Sequence, residues 1–202
     1  MSKSIWERIE SAREQWNVLE HPFYQRWSAG ELSREELARY SGQYRHAVEA
    51  VARISATVAE SAPNRPELRS HAVEEAAHVE LWDGFVESVG GDTGATPTPE
   101  TRECAETWAA DDGMLANLAR LYAVESGQPA ISRTKREGLV ERYGVEEGAG
   151  TAYFRVHETR DVEHAAQTRE LITELAGRGD DDRLVEEAEA AFRANWRLLD
   201  GV

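Results

Sequence analysis

The sequence predicts an all-α fold, a single-domain helical bundle, and three observations predict it. Apolar residues recur at three- and four-residue spacing along most of the chain. No stretch alternates apolar and polar residues between turn signals, as a half-buried strand would. The length of 202 residues suits one domain with a substantial core. About seven helices, packed as one all-α bundle over residues 1–202, are expected.

The elements follow in order. From Ser4 to Leu19, Ile5, Ile9, Trp16 and Leu19 lie near helical spacing, and His21-Pro22 interrupts the run. Ser33 with Glu36 three residues on is a capping box, and it opens a long helix through Ala59. Ser61 to Pro66 ends that helix. Pro66, a first-turn proline, starts the next, which Gly90-Gly91 stops after Val89. A Gly/Thr/Pro loop covers Asp92 to Pro99. Helical patterns then run over Pro99–Ala110, Gly113–Ser126, Pro129–Tyr143, Glu146–Leu175 and Asp181–Leu199, with Gly177-Arg178-Gly179 before the last. Repeats, low-complexity tracts, linkers, phosphate loops and Gly-rich dinucleotide turns are lacking.

Composition narrows the function classes. Thirty-eight acidic against 23 basic residues give a formal charge of −15. Such a surface repels phosphate backbones and anionic lipid, so neither a nucleic acid nor a membrane is an expected partner. No apolar run approaches a spanning helix, and the N-terminus does not read as a signal peptide, so a cytoplasmic location is expected. The one cysteine, Cys104, excludes an internal disulfide framework and a thiolate zinc site. Lys3 and Lys135 are the only lysines. An acidic excess nearly free of lysine fits a salt-loaded, halophilic cytoplasm, where screening is short-ranged; an Arg-rich, high-GC genome is the plainer source.

Three signals carry chemistry. His157, Asp161 and His164 are offset by four and three residues and share one helix face, where imidazole and carboxylate can converge on a metal. The plainer reading is a solvated charged face. Glu75 and His78 lie on the stripe His71, Glu75, His78, Trp82, Phe85, so the carboxylate shares a face with large apolar residues and needs a metal or an arginine. Glu-x-x-His is also the unit of helical di-iron bundles. Glu74, four residues before His78, is the neighbouring alternative. Glu125 ends a stripe of Leu118, Leu121 and Tyr122, although a single glutamate at a helix end more often faces solvent. Together Glu75, His78, Glu125, His157, Asp161 and His164 offer three carboxylates and three imidazoles from three helices. That set fits two first-row metal ions, iron or manganese before zinc.

These residues also carry a resemblance. The chain resembles the haem-oxygenase-like di-metal oxidases of the TenA/PqqC-like superfamily, and among them the CADD-type para-aminobenzoate synthases. The similarity runs from His21 to about Thr173. It includes His21-Pro22-Phe23-Tyr24-x-x-Trp27, Glu74-Glu75 leading to His78-x-x-Leu81-Trp82-x-x-Phe85, and Glu125-Ser126. It ends with Tyr153-Phe154-x-x-His157-x-x-x-Asp161-x-x-His164. The resemblance implies a seven-helix haem-oxygenase-like fold, a dinuclear site of Fe/Fe or Mn/Fe, dioxygen as co-substrate and an external reductant. It also implies a self-sacrificing synthesis in which Tyr24 supplies the ring of para-aminobenzoate, a folate precursor, and Lys135 the nitrogen. The reacting partner is then the chain's own side chains or a small-molecule substrate; a homodimer is also allowed. Two departures stand out. Val124 replaces the tyrosine usual before the central glutamate, and the segment between Glu74-Glu75 and His78 is about one turn shorter. Read without a gap, the first ligand falls on His71; the i,i+3 spacing favours Glu75. The alternatives are an oxidase of an external small molecule, and a metal-free thiamine-salvage or quinone-biosynthesis relative. For the former class of metal-free enzymes Cys104 would be the nucleophile, and its charged sequence neighbours argue against it. A chain reversal between Ser126 and Pro129 is expected to bring Lys135 back toward Glu125, where two metal cations would lower its pKa.

Overall fold

The computed structural model describes residues 3–177 and 179–202. Among these, eight α-helices and one short 3-10 turn form the fold, with no strands: α1 (Ile5–Gln15), the 3-10 turn (Val18–Glu20), α2 (Pro22–Ala29), α3 (Arg34–Ser61), α4 (Pro66–Ser88), α5 (Pro99–Ala109), α6 (Met114–Arg142), α7 (Ala149–Leu175) and α8 (Asp181–Asp200). The all-helical expectation holds; the helices number eight rather than about seven, and two of them differ from the sequence reading.

The first correction is α2. His21-Pro22 breaks the first helix and also begins another. His21 Nδ1 accepts the Phe23 N–H at 3.1 Å, Pro22 occupies a first-turn position, and Gly30 caps the C-terminus at φ +74°. The left-handed cap favours glycine, because a side chain there is strained. The second correction is α6, which is continuous where two helices were expected. Pro129 lies inside it. A proline removes one N–H, here the one that would bond the Glu125 carbonyl, at a cost of about 3 kcal/mol in a helix interior. Burial of the helix on both sides of Pro129 offsets that cost, with Leu118, Leu121, Ile131 and Leu139 all in the core.

The remaining starts follow the sequence signals. Ser33 and Glu36 exchange capping hydrogen bonds at 2.8 and 3.2 Å. Thr98 caps α5, and Pro66 opens α4. Helices α3, α4, α6 and α7 form the main bundle, with α6–α7 and α3–α4 the most extensive pairings; α5 and α8 close one side. The core between them is largely aromatic, with Tyr24, Trp27, Tyr40, Tyr44, Trp82, Phe85 and Phe154 all buried. No helix among the described residues is long and apolar enough to cross a membrane.

Candidate metal centre

The stripes on α4 and α7 face each other, and α6 adds Glu125. Glu75, His78, Glu125, His157, Asp161 and His164 are all buried, and so is His71. Four of the six histidines in the chain therefore meet in one place. Glu75 is the pivot. Its carboxylate lies 3.1 Å from His78 Nδ1, 3.7 Å from His164 Nδ1, 3.8 Å from His71 Nε2 and 4.0 Å from His157 Nε2. The partners of this buried carboxylate are imidazoles, not an arginine. His71 Nε2 lies 2.8 Å from Glu125 Oε1, and its ring packs on His164 at 3.9 Å between centroids.

Two groups of three bring their donor atoms within 4.8 Å of one another: His71, Glu75 and His164, and Glu75, His78 and His157. Glu75 belongs to both. Asp161 adds its carboxylate 3.7 Å from His164 Nδ1. Glu125 sits in mid-helix and points inward, held by Thr168, which donates to its Oε2 at 3.2 Å. The helix-end, solvent-facing reading of Glu125 came from ending α6 at Ser126, and the continuous helix removes it.

The electrostatics mark a site short of positive charge. Burial alone would raise Glu75, but the imidazoles of His157 and His78 beside it outweigh that and hold its carboxyl well below the ordinary range. Burial raises Glu125, only partly offset by His71. Burial opposes protonation of His71 and His157, yet the surrounding carboxylates win, and both are raised. His157 Nδ1 donates to the Tyr153 carbonyl at 2.8 Å, which leaves Nε2 free toward Glu75. Among the described residues, His71 Nε2, Glu75 Oε1, His78 Nδ1, Glu125 Oε1, both Asp161 oxygens and His164 Nδ1 find no hydrogen-bond partners. The short contacts among them are not aligned as hydrogen bonds. So many orphaned polar atoms in one buried place are costly unless a cation joins them. Oxygen and imidazole donors without thiolate suit first-row metals.

The alternatives for the first position separate in space. Glu74 turns outward to Arg160, 2.7 Å away, and reaches only the edge of the cluster, 3.4 Å from His164 Nε2. His71, ranked below Glu75 on spacing, enters the cluster beside it. The signal was present in the i,i+4 step between them.

Tyr24 and Lys135 occupy a second, adjoining cluster. Lys135 Nζ is completely buried and has no hydrogen-bond partner. It stands over Tyr44 at 4.2 Å, with Tyr40, Trp82, Tyr24 and Phe154 between 5.4 and 5.6 Å. The expected chain reversal does not occur. Ten residues of continuous helix carry Lys135 about 15 Å along the axis from Glu125. Burial pushes its pKa well below the ordinary lysine value. Ring faces favour an ammonium, yet with no carboxylate beside it among the described residues the desolvation wins. Tyr24 is buried too, with its hydroxyl 2.9 Å from that of Tyr40, and burial pushes its pKa up. The two clusters adjoin through Gln128, which donates to the Tyr44 hydroxyl at 3.2 Å, and through stacked rings. Tyr153 lies 3.9 Å from His157 and 4.9 Å from Trp82, and Trp82 lies 5.0 Å from Tyr44. Cys104 is fully buried and its thiol is pushed well up by burial, which makes it a poor nucleophile.

Comparison with known proteins adds three findings. A family described as iron-containing redox enzymes matches residues 38–196. The chain is 30% identical to the 4-aminobenzoate synthase of Nitrosomonas europaea, covering 97% of this chain and 89% of that protein. It is 28% identical to the 4-aminobenzoate synthase of Chlamydia muridarum, over 99% and 90%. Among solved structures, a domain of unknown function with a heme oxygenase-like fold from Shewanella denitrificans superposes with TM-score 0.81 at 19% identity, over 100% of this chain and 92% of that one. A TenA homologue from P. horikoshii reaches TM-score 0.76 at 18% identity, over 96% and 97%. Those two likenesses establish the fold.

Proposed function

The chain belongs to the family of iron-containing redox enzymes with a haem-oxygenase-like fold, and on that premise we propose that it is a dioxygen-using 4-aminobenzoate synthase with a dinuclear metal centre. The observation that carries this reading is the pair of donor triads sharing Glu75. His78 and His157 would hold one ion with Glu75. His71, His164, Glu125 and Asp161, again with Glu75, would hold the other. When bound, two irons, or manganese with iron, supply oxidising chemistry from dioxygen, with an external reductant setting the ferrous state.

The chain's own residues do the rest. Thr168 and the Tyr153 carbonyl orient Glu125 and His157. The aromatic wall excludes water. Lys135 is kept neutral by burial, so its nitrogen lone pair is available. The Tyr24 hydroxyl is hydrogen-bonded to that of Tyr40, which fixes the orientation of the Tyr24 ring. Tyr153, Trp82 and Tyr44 form a line of rings between His157 and the Lys135 cluster, a path for an electron. In this reading Tyr24 supplies the ring of 4-aminobenzoate and Lys135 the nitrogen; the relatives are named 4-aminobenzoate synthases.

The test begins with protein loaded anaerobically with ferrous iron, which should retain about two irons per chain. Exposure to dioxygen should release 4-aminobenzoate, at no more than one equivalent per chain. Lys135→Arg and Tyr24→Phe should keep the metal and lose the product. Isotope in the chain's tyrosine should appear in the product. Retention of no iron overturns the metal centre. Undiminished product from both variants overturns the roles of Tyr24 and Lys135. Dioxygen consumption without 4-aminobenzoate in the wild type favours an oxidase of an external small molecule.

A further inference from the structure

Two cavities lie on either side of Val124. The inner one, about 10 Å³, has Glu75, Glu125, His157 and Asp161 among its walls, with Val51 and Val124 as its aliphatic residues. It has room for about one water-sized molecule. The outer one, about 190 Å³, lies between α1, the 3-10 turn, α6 and α8, and is lined chiefly by Trp16, Val18, Leu19, Val124, Ile131 and Phe192. Val124 is the one residue common to both linings. It is half-buried, and Ala130 on the outer rim is exposed, so the outer cavity reaches the surface.

From this arrangement we infer that the outer cavity is the dioxygen-binding antechamber of the metal centre, and that Val124 is the partition dioxygen crosses. The inference rests on the proposed dioxygen chemistry of the inner site. Dioxygen is uncharged and a weak hydrogen-bond acceptor, so it concentrates in apolar space. An apolar cavity near 150 Å³ takes xenon or benzene, whereas organic substrates use pockets of about 300 Å³ or more. The outer cavity therefore fits a small gas better than an organic substrate. A valine leaves less between the two spaces than any larger side chain at that position would. Water has its own approach. A cleft of about 150 Å³ touches His71 and Thr168 and carries Arg65, Glu67, Glu170 and Glu174. That polar cleft suits ions and protons, so gas and charge reach the centre from different sides.

Gly127 allows a clean test. It lines the outer cavity and not the inner one, and a Cβ there meets only Ile131 Cδ1, at 3.4 Å. Gly127→Leu fills the antechamber without touching a candidate ligand. Metal-free crystals under xenon should show xenon beside Val124 in the wild type and none in Gly127→Leu. In stopped-flow mixing of ferrous-loaded protein with dioxygen, Gly127→Leu should slow iron oxidation several-fold at unchanged iron content. Val124→Ala should speed it. Absence of xenon from the wild-type cavity overturns the inference, as does a wild-type rate in Gly127→Leu. A wild type that binds iron but never reacts with dioxygen overturns the proposed function instead, while the xenon result still decides whether the cavity holds an apolar gas.

Discussion

At the scale of single residues, Glu75 and Lys135 are two buried ionisable groups handled in opposite ways. Glu75 stays ionised because histidines surround it. Its loss would leave two sets of imidazoles without their shared carboxylate. Glu75→Gln is therefore expected to remove at least half of the bound iron, measured by elemental analysis, while Glu74→Gln changes it little. Lys135 instead loses its charge. Up to about pH 10.4 the unfolded chain carries a protonated lysine. The folded chain does not, once the pH exceeds the depressed folded value. The unfolded state thus binds more protons at this group in that window, and the Lys135 contribution to the stability of the metal-free protein should rise with pH up to about 10, while His71 and His157, raised in the folded state, contribute in the opposite sense above about 6.5. Above that, unfolded tyrosines ionise while buried Tyr24, Tyr40 and Tyr153 keep their protons, and stability should fall. Lys135→Met removes an unsatisfied buried amine. It should raise stability by about 1–3 kcal/mol near neutral pH and flatten the rise, as read by denaturant unfolding across pH.

At the scale of elements, the packing of α2 on α6 sets the Lys135 cluster. Gly138 lets the two helices close, because a Cβ there would lie 2.5 Å from Trp27 Nε1. The same indole N–H donates to the Lys135 carbonyl at 3.3 Å. Gly138→Ala should destabilise by about 1–3 kcal/mol through overpacking. It should also reduce product more than iron content, since α2 carries Tyr24 and none of the candidate ligands; thermal melting and iron content on one preparation separate the two effects. Helix α6 binds the halves of the proposed chemistry together, with Glu125 and Lys135 on one rod. That link was not legible in the sequence, because Pro129 reads locally as a stop and only the burial of the surrounding helix overrides it. The short α2 was legible in principle from Pro22 and Gly30, which bracket it.

At the scale of the whole molecule, a charge of −15 on one small bundle is a standing repulsion. Ion pairs such as Arg45–Asp83 and Arg136–Glu158 relieve it locally. Salt should relieve the rest, since the screening length shrinks from about 10 Å at 0.1 M to about 3 Å at 1 M. The melting temperature is expected to climb between those concentrations of potassium chloride, and a flat or falling profile in scanning calorimetry would remove charge repulsion as a determinant of stability.

The sequence by itself determined the helical class and the two stripes that carry histidine and carboxylate. Both depend on near neighbours along a helix: residues three and four apart share a face whatever the helix packs against. It determined equally that His71 and Glu75 lie one turn apart, but not that both turn toward Glu125 while Glu74 turns to Arg160. Only the tertiary structure decided that, along with the burial of Lys135 among rings from α2, α3, α4 and α7 and the single wall that Val124 makes between two cavities. Those facts depend on which helices meet and how closely, and the free energy of such meetings comes from surfaces that are distant in sequence and become neighbours only when the core closes.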